Sequence, residues 1–202
     1  LYDKPPPLTL RRKGELLFND AGITFERWFS CASCHQEDAT VDGLNWDLLN
    51  DGIGNPKNNK SMHDAVDTPP AMWSGVREDM AEAVAAGQRF AGFFPDPEKN
   101  RALLEYISTP ERVRSPYRDG DPPAVRRGAR LFLRARCDAC HPAPTYTDGK
   151  MHDLLLVSPN DAVSRFDTPS LRECWRTAPY LHAARAATLA EVFTPHAPKG
   201  LH

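Results

Sequence analysis

Two stretches carry residue types and a spacing that suit an iron cofactor. FSCASCHQED, from Phe29, and ARCDACHPAP, from Ala135, each put two cysteines three apart with a histidine directly after the second. This is the attachment signal of c-type haem. Two thiols add to the two vinyl groups along one porphyrin edge, and the following histidine turns beneath the ring to bind iron. Cys31 and Cys34 are thus expected to hold haem 1, with His35 as proximal ligand, and Cys137 and Cys140 to hold haem 2, with His141. Two other chemistries use paired cysteines: one zinc ion among four thiolates, and a redox dithiol. Neither requires a histidine after each pair. The fifth cysteine, Cys174, stands alone and reads as a small buried hydrophobe.

The elements that must position these motifs repeat. TLRRKGELLF (9–18) reads as a short amphipathic helix in which Gly14 and Phe18 share a face. A mid-helix glycine costs about 1 kcal/mol, so close packing of another backbone is its expected compensation. AVRRGARLFLR (124–134) repeats the device with Gly128 and Phe132, and each helix precedes a cysteine motif. DTPPAMWSG after the first motif echoes DTPSLRECW after the second, and DMAEAV (79–84) echoes TLAEVF (188–193). The chain therefore reads as a tandem of one unit, 1–115 and 116–202, joined at the turn-rich SPYRDGDPP. EKNRALLEYIS (98–108) is expected to close the first unit by crossing the Gly14 helix. The second unit shows no such closing helix, so either the natural chain continues or a partner covers that edge.

Composition sets outer bounds. Of 202 residues 41% are hydrophobic and 26% charged, with net charge −2, a globular balance with no electrostatic case for nucleic acid or an anionic membrane. No apolar run approaches the roughly 20 residues of a membrane helix. Nineteen prolines and twelve glycines predict short helices, long loops and little sheet. The longest loop, DGLNWDLLNDGIGNPKNNKS (42–61), is expected to be functional or to wrap something. The chain starts at Leu1 with no leader, which suits either a mature exported protein or a piece of a longer one.

At this point the sequence resembles a known family. The two haem motifs, Trp73-Ser74-Gly75, FDTPSLR (166–172), TAPYLH (177–182) and ATLAEV (187–192) look like the bacterial di-haem cytochrome c peroxidase and MauG-like family. The resemblance covers nearly the whole chain and is tightest over 137–196. It implies an all-α, loop-rich fold of two tandem class I cytochrome c domains, each with one covalently bound haem c, outside the cytoplasm. It implies His196 as the distal ligand of haem 2, fourteen residues after His182, with His202 a weaker rival. His182 itself resembles the family's residue beside a haem propionate, although the Asp-Gly that follows it there is Ala183-Ala184 here. His152 resembles a family segment near haem 2. A calcium ion between the domains is also implied, near Asp67, Thr168 and Ser170.

The occupant of iron's sixth position separates an electron carrier from an enzyme. In the internal repeat the counterpart of His196 is Gly87, which cannot ligate. Haem 1 therefore takes its sixth ligand elsewhere: His63, on the long polar loop, or Met62 or Met72, or none. Peroxide cleavage needs an acid–base group beside the distal oxygen. The resemblance places a glutamate about twenty residues after Trp73, where this chain has Phe93; the nearest glutamate, Glu98, reads as a surface helix start, and Gln88 is the one polar substitute. Trp73 either mediates electron transfer between the haems or packs as core. The expected function is single-electron transfer by a di-haem c-type cytochrome, with a redox protein or a larger assembly as partner. The alternative is a peroxidase or MauG-like enzyme that reduces hydrogen peroxide at haem 1, with Trp73 and Gln88 as its catalytic candidates.

Overall fold

The computed structural model describes residues 7–48, 54–92, 94–108 and 111–193. Its first helix, α1 (Leu10–Asn19), begins where Thr9 Oγ1 accepts a hydrogen bond from the Arg12 amide, an N-cap that satisfies one otherwise unpaired donor. Two 3-10 turns, Ala21–Ile23 and Phe25–Arg27, lead into α2 (Cys31–Cys34) and α3 (Gln36–Ala39), which carry the first motif. The long loop then folds back on itself as β1 (Asn45–Trp46) antiparallel to β2 (Lys57–Asn58). Asp79 caps α4 (Met80–Phe90) through the Glu82 amide, and α5 (Pro97–Ser108) follows.

Helix α5 crosses α1 as expected. A Cβ built on Gly14 would lie 1.9 Å from the Ala102 carbonyl oxygen, so only glycine lets the two backbones approach this closely. Around the crossing lie Phe18, Leu103, Tyr106 and Ile107, joined by Met80, Ala83 and Val84 of α4. Phe18 meets Tyr106 with ring centroids 5.1 Å apart. Full burial of each large apolar side chain here contributes about 1.5–3 kcal/mol.

The second half starts with α6 (Pro122–Arg134), capped by Asp121 through the Ala124 amide, with prolines in the first turn where no amide partner is needed. A 3-10 turn at Cys137–Ala139 carries the second motif. β3 (Met151–Asp153) pairs antiparallel with β4 (Arg165–Asp167), a 3-10 turn spans Cys174–Arg176, and α7 (Leu189–Val192) ends the described chain. No residue of α6 is buried, and among the described residues a Cβ on Gly128 would meet nothing within 4 Å. Helices thus build the core, in keeping with the all-α expectation, and the two short ladders are the addition to it. Among the described residues no helix is long and apolar enough to cross a membrane.

One expected correspondence is corrected. The DTPPAMWSG stretch does not match DTPSLRECW in space. The bridge Ala71–Arg77 recurs as Tyr180–Ala186. The cap Asp79 to the Glu82 amide recurs as Thr188 to the Glu191 amide. Residues 68–82 therefore correspond to 177–191, whereas Asp167 ends β4. Asp-Thr-Pro recurs as a local turn sequence, but bridges and helix caps fix the register. It follows that Trp73 and His182 are counterparts in the two halves.

Candidate haem-binding site

Both cysteine motifs are folded into one geometry. The Ser30 and Ser33 side chains form a capping box at the start of α2. The His35 amide then bonds the Cys31 carbonyl at 2.9 Å, and the His141 amide bonds the Cys137 carbonyl at 2.8 Å. The His35 Nδ1 lies 3.2 Å from the carbonyl oxygen of Thr40, and the His141 Nδ1 lies 2.8 Å from that of Tyr146. A carbonyl only accepts, so in both rings Nδ1 carries the hydrogen and Nε2 keeps the lone pair a metal requires. Burial holds both imidazoles below their ordinary pKa, which keeps them neutral.

All five cysteines are free. Burial pushes the Cys31 thiol up to about 11 and, with Asp42 beside it, the Cys34 thiol up to about 11; Cys140 is raised by burial too. Among the described residues the two cysteine pairs do not gather around one point; the group of metal-ligating side chains found is Cys140, Asp148 and His152, in which Asp148 accepts from His152 Nε2 at 2.8 Å. The donor set fits two separate haem c groups, Cys31, Cys34 and His35 for one and Cys137, Cys140 and His141 for the other, and does not fit a shared zinc site.

The long loop joins the halves. Its Asn58 donates Nδ2 to the carbonyls of Pro179 (2.6 Å) and Leu181 (3.2 Å), and its amide to that of His182 (2.8 Å). Lys57 pairs with Asp161 at 2.8 Å, and Lys60 with Asp167 at 2.5 Å. Trp73 donates Nε1 to the Asn58 carbonyl at 2.6 Å, and Lys60 Nζ lies 5.1 Å from a Trp73 ring centroid. The Asp167 amide bonds the Trp73 carbonyl. His182, 2% exposed, stacks on Phe166 with centroids 4.0 Å apart and meets Trp73 edge-on at 6.5 Å. The carboxylate His182 contacts is that of Asp161, at 2.8 Å from Nε2. Burial alone would raise Asp161, but bonds from Lys57, the Ser158 amide and His182 bring it down to about 2.

The remaining sequence-derived residues fall as follows. His63, 4% exposed, places Nε2 2.7 Å from the Asp38 carbonyl and Nδ1 3.5 Å from Glu173, so iron ligation by this ring requires the Asp38 bond to open. Met62 and Met72 pack against the first-half core. Gln88, 3% exposed, finds no partner for Oε1 or Nε2 within the protein. Gly87, before it, has open space where a side chain would be. An orphaned buried amide beside open space on the core side of α4 suits a group that the polypeptide itself does not supply. Asp67 is exposed, while Ser170 Oγ bonds the Thr145 carbonyl and the Thr168 carbonyl accepts from Thr147 Oγ1 at 2.6 Å. His196 and His202 lie outside the described residues. Sequence reasoning missed Lys57, Lys60, Asp161 and Asp167; the length of the loop holding the two lysines was the available signal.

No sequence-family profile matches the chain. It is 28% identical to the hydrazine synthase subunit gamma of Kuenenia stuttgartiensis, across 90% of this chain and 68% of that protein. It is 25% identical to the methylamine utilization protein MauG of Methylophilus methylotrophus, across 87% of this chain and 69% of that protein. In structure it matches a chain of Kuenenia stuttgartiensis hydrazine synthase with TM-score 0.78 at 26% identity, covering 93% of this chain and 78% of that one. A MauG-like protein associated with microbial copper homeostasis shares the fold, with TM-score 0.71 at 20% identity over 99% of this chain and 85% of that one. The chain is thus similar over most of its length to MauG and to hydrazine synthase subunit gamma. Those likenesses support a haem cofactor and a redox role of the cytochrome type.

Proposed function

We propose that the chain is an electron-transferring cytochrome outside the cytoplasm, made of two units, 1–115 and 116–202, with one haem c in each. A bound haem c supplies an iron that gains and loses single electrons. The carrying observation is the duplicated histidine geometry: in each half a carbonyl five residues on holds Nδ1–H, so Nε2 of His35 and of His141 keeps the lone pair with which each ring would bind iron. Cys31, Cys34, Cys137 and Cys140 would tether the two groups, and His196 would be the second ligand in the later half. Trp73 and His182 lie between the halves, clamped by Asn58, Lys60, Asp161 and Phe166, and their rigid aromatic contact supports a fixed path between the two centres. Proteins of similar sequence include one named as a subunit of hydrazine synthase, which supports work within a larger assembly.

A second reading rests on Gln88. Its unpartnered amide supports a polar distal group at haem 1 and thus a peroxide-reducing site there. Ferric and ferrous spectra of the purified protein, with and without peroxide, separate the two readings. Two low-spin haems unchanged by peroxide are expected for the electron carrier. A high-spin ferric band that responds to peroxide, with Gln88→Leu altering the response, would establish the second reading instead.

A further inference from the structure

Helix α6 carries a charge pattern that its counterpart in the first half does not. Residues 122–136 hold Arg126, Arg127, Arg130, Arg134 and Arg136 and no lysine, aspartate or glutamate. The chain's net charge is −2, so everything outside this stretch sums to −7. At 3.6 residues per turn, Arg126, Arg130, Arg134 and Arg127 fall within an arc of about 100°. All four are exposed. Gly128 and Phe132, which match the buried Gly14 and Phe18 of α1, lie on the other side of the helix, where the Phe132 ring meets Tyr146 at 6.3 Å. The arginine stripe is therefore the side turned to solvent.

Counting from the glycines, Arg126 and Arg127 occupy the places of Arg12 and Lys13 in α1. There the charges are met from within the chain: Arg12 pairs with Glu15 at 2.6 Å, and Lys13 approaches Glu98 at 4.0 Å. In α6 the place of Glu15 is taken by Ala129, and those of Leu16 and Asp20 by Arg130 and Arg134. Arg127 has a 3.9 Å approach from Asp121, with both side chains about 60% exposed. Arg126, Arg130 and Arg134 have no ion pair or side-chain hydrogen bond among the described residues. Arg126 with Arg130, and Arg130 with Arg134, are like charges four apart, each pair opposing the helix by about 0.2–0.5 kcal/mol. Nothing among the described residues offsets that cost.

We propose that the Arg126–Arg127–Arg130–Arg134 stripe is the docking surface for a partner protein that presents a patch of carboxylates. Three observations choose this occupant. Every cation of the stripe is arginine, whose planar, weakly hydrated guanidinium holds a carboxylate through two parallel hydrogen bonds and so suits an interface better than lysine. Leu131 and Leu133, 59% and 60% exposed, border the stripe on its two edges and add apolar contact beside the charges. The net −7 of the remaining chain repels an extended polyanion or an anionic bilayer, which reaches past the helix, whereas a compact protein patch touches the stripe alone. From Arg126 to Arg134 the stripe runs about 12 Å, a footprint of the small class in which electron carriers meet. Helix α6 leads directly into the turn that holds Cys137, so a partner seated on it is brought close to the second cysteine–histidine motif. The docking rests on charge and geometry, and only the passage of electrons rests on the cytochrome reading.

The test uses the holoprotein, with a small blue-copper protein that has an acidic surface patch as the probe. Calorimetric titration reads binding. Stopped flow reads electron passage, in which ferrous haem iron gives one electron to the probe's cupric ion, leaving ferric iron and cuprous copper. Affinity and rate should both fall as salt rises. Arg126→Gln combined with Arg130→Gln and Arg134→Gln should lower both by about tenfold or more at low salt and flatten the salt dependence. The Tm of that variant should stay at or above the parent's, because like charges have been removed. Arg89→Gln combined with Lys99→Gln and Arg101→Gln takes the same charge from exposed positions of the first half and should change both far less. Equal losses in the two triple variants reduce the effect to net charge and overturn the proposal, as does an α6 variant that binds like the parent. Arginine-dependent binding to phosphatidylserine vesicles or duplex DNA, with none to the acidic protein, assigns the stripe to a polyanion and equally overturns it. Arginine-dependent binding without electron passage upholds the docking surface and counts against the cytochrome reading.

Discussion

Gly14→Ala perturbs the close crossing of α1 and α5. The added Cβ would sit 1.9 Å from the Ala102 oxygen, 2.6 Å from its carbonyl carbon and 2.9 Å from Tyr106 Cβ. Ordinary contact needs about 3.4 Å, and two backbones cannot rotate away as a flexible side chain can. The helices must part by roughly 1 Å, which loosens Phe18, Leu103 and Ile107, each at 1–2% exposure. Overpacking of this type costs about 1–3 kcal/mol, occasionally more. The better helix propensity of alanine returns up to about 1 kcal/mol. A net loss of about 1–3 kcal/mol is expected, or a Tm lower by roughly 3–10 °C for a chain of this length. Urea or thermal unfolding followed by circular dichroism and by the haem absorption band measures it. Gly128→Ala is the matched control and should gain about 0.5–1 kcal/mol, since no neighbour among the described residues opposes the methyl. A Gly14→Ala protein as stable as the parent would refute the crossing argument.

Other substitutions probe the seam and the cofactor sites. Asp161 is held at about 2 against 3.8 by Lys57, the Ser158 amide and His182, so its contribution, roughly 2 kcal/mol at most, is complete above about pH 4 and lost as pH falls towards 2. Asp161→Asn should flatten the urea midpoint over that range and lower it at pH 7; an unchanged acid limb would count against the network. Lys60→Met removes the cation beside the buried Asp167 carboxylate, whose pKa burial already raises, and should destabilise by about 2–4 kcal/mol at pH 7, with part of the loss recovered at low pH as Asp167 takes a proton. Cys31→Ala with Cys34→Ala should reduce the covalent haem count by intact mass from two to one and leave the second site loaded; two haems retained would sink the assignment. His141→Met should shift the spectrum and reduction potential of one haem and leave the other unchanged.

How much of this was legible before folding varies by residue. The cysteine–histidine spacing and the Gly14–Phe18 face announce their roles locally, since one turn of chain contains the whole signal. The α5 crossing was also readable, because a glycine inside an amphipathic helix demands a compensating contact. The repeat register was not. A shared Asp-Thr-Pro suggested one correspondence, and the Ala71–Arg77 and Tyr180–Ala186 bridges set another, because turn sequences recur wherever a chain bends. The pairing of Lys57 with Asp161 and of Lys60 with Asp167 was not legible beyond the length of the loop that holds the lysines: a lone charge acquires meaning only when a partner 104 or 107 residues away closes on it.

The sequence by itself determined what can be bound, since thiol spacing and the adjacent imidazole are covalent facts of a five-residue stretch. It also holds two cysteine–histidine motifs, each preceded by a glycine-bearing amphipathic stretch. Tertiary structure alone decided how those copies meet. The ion pairs of the long loop, the stacking of His182 on Phe166 and the edge contact with Trp73 depend on distances between residues far apart in the chain. Such distances are set by packing and the hydrophobic effect, which act on the folded whole and leave no fixed spacing in the chain.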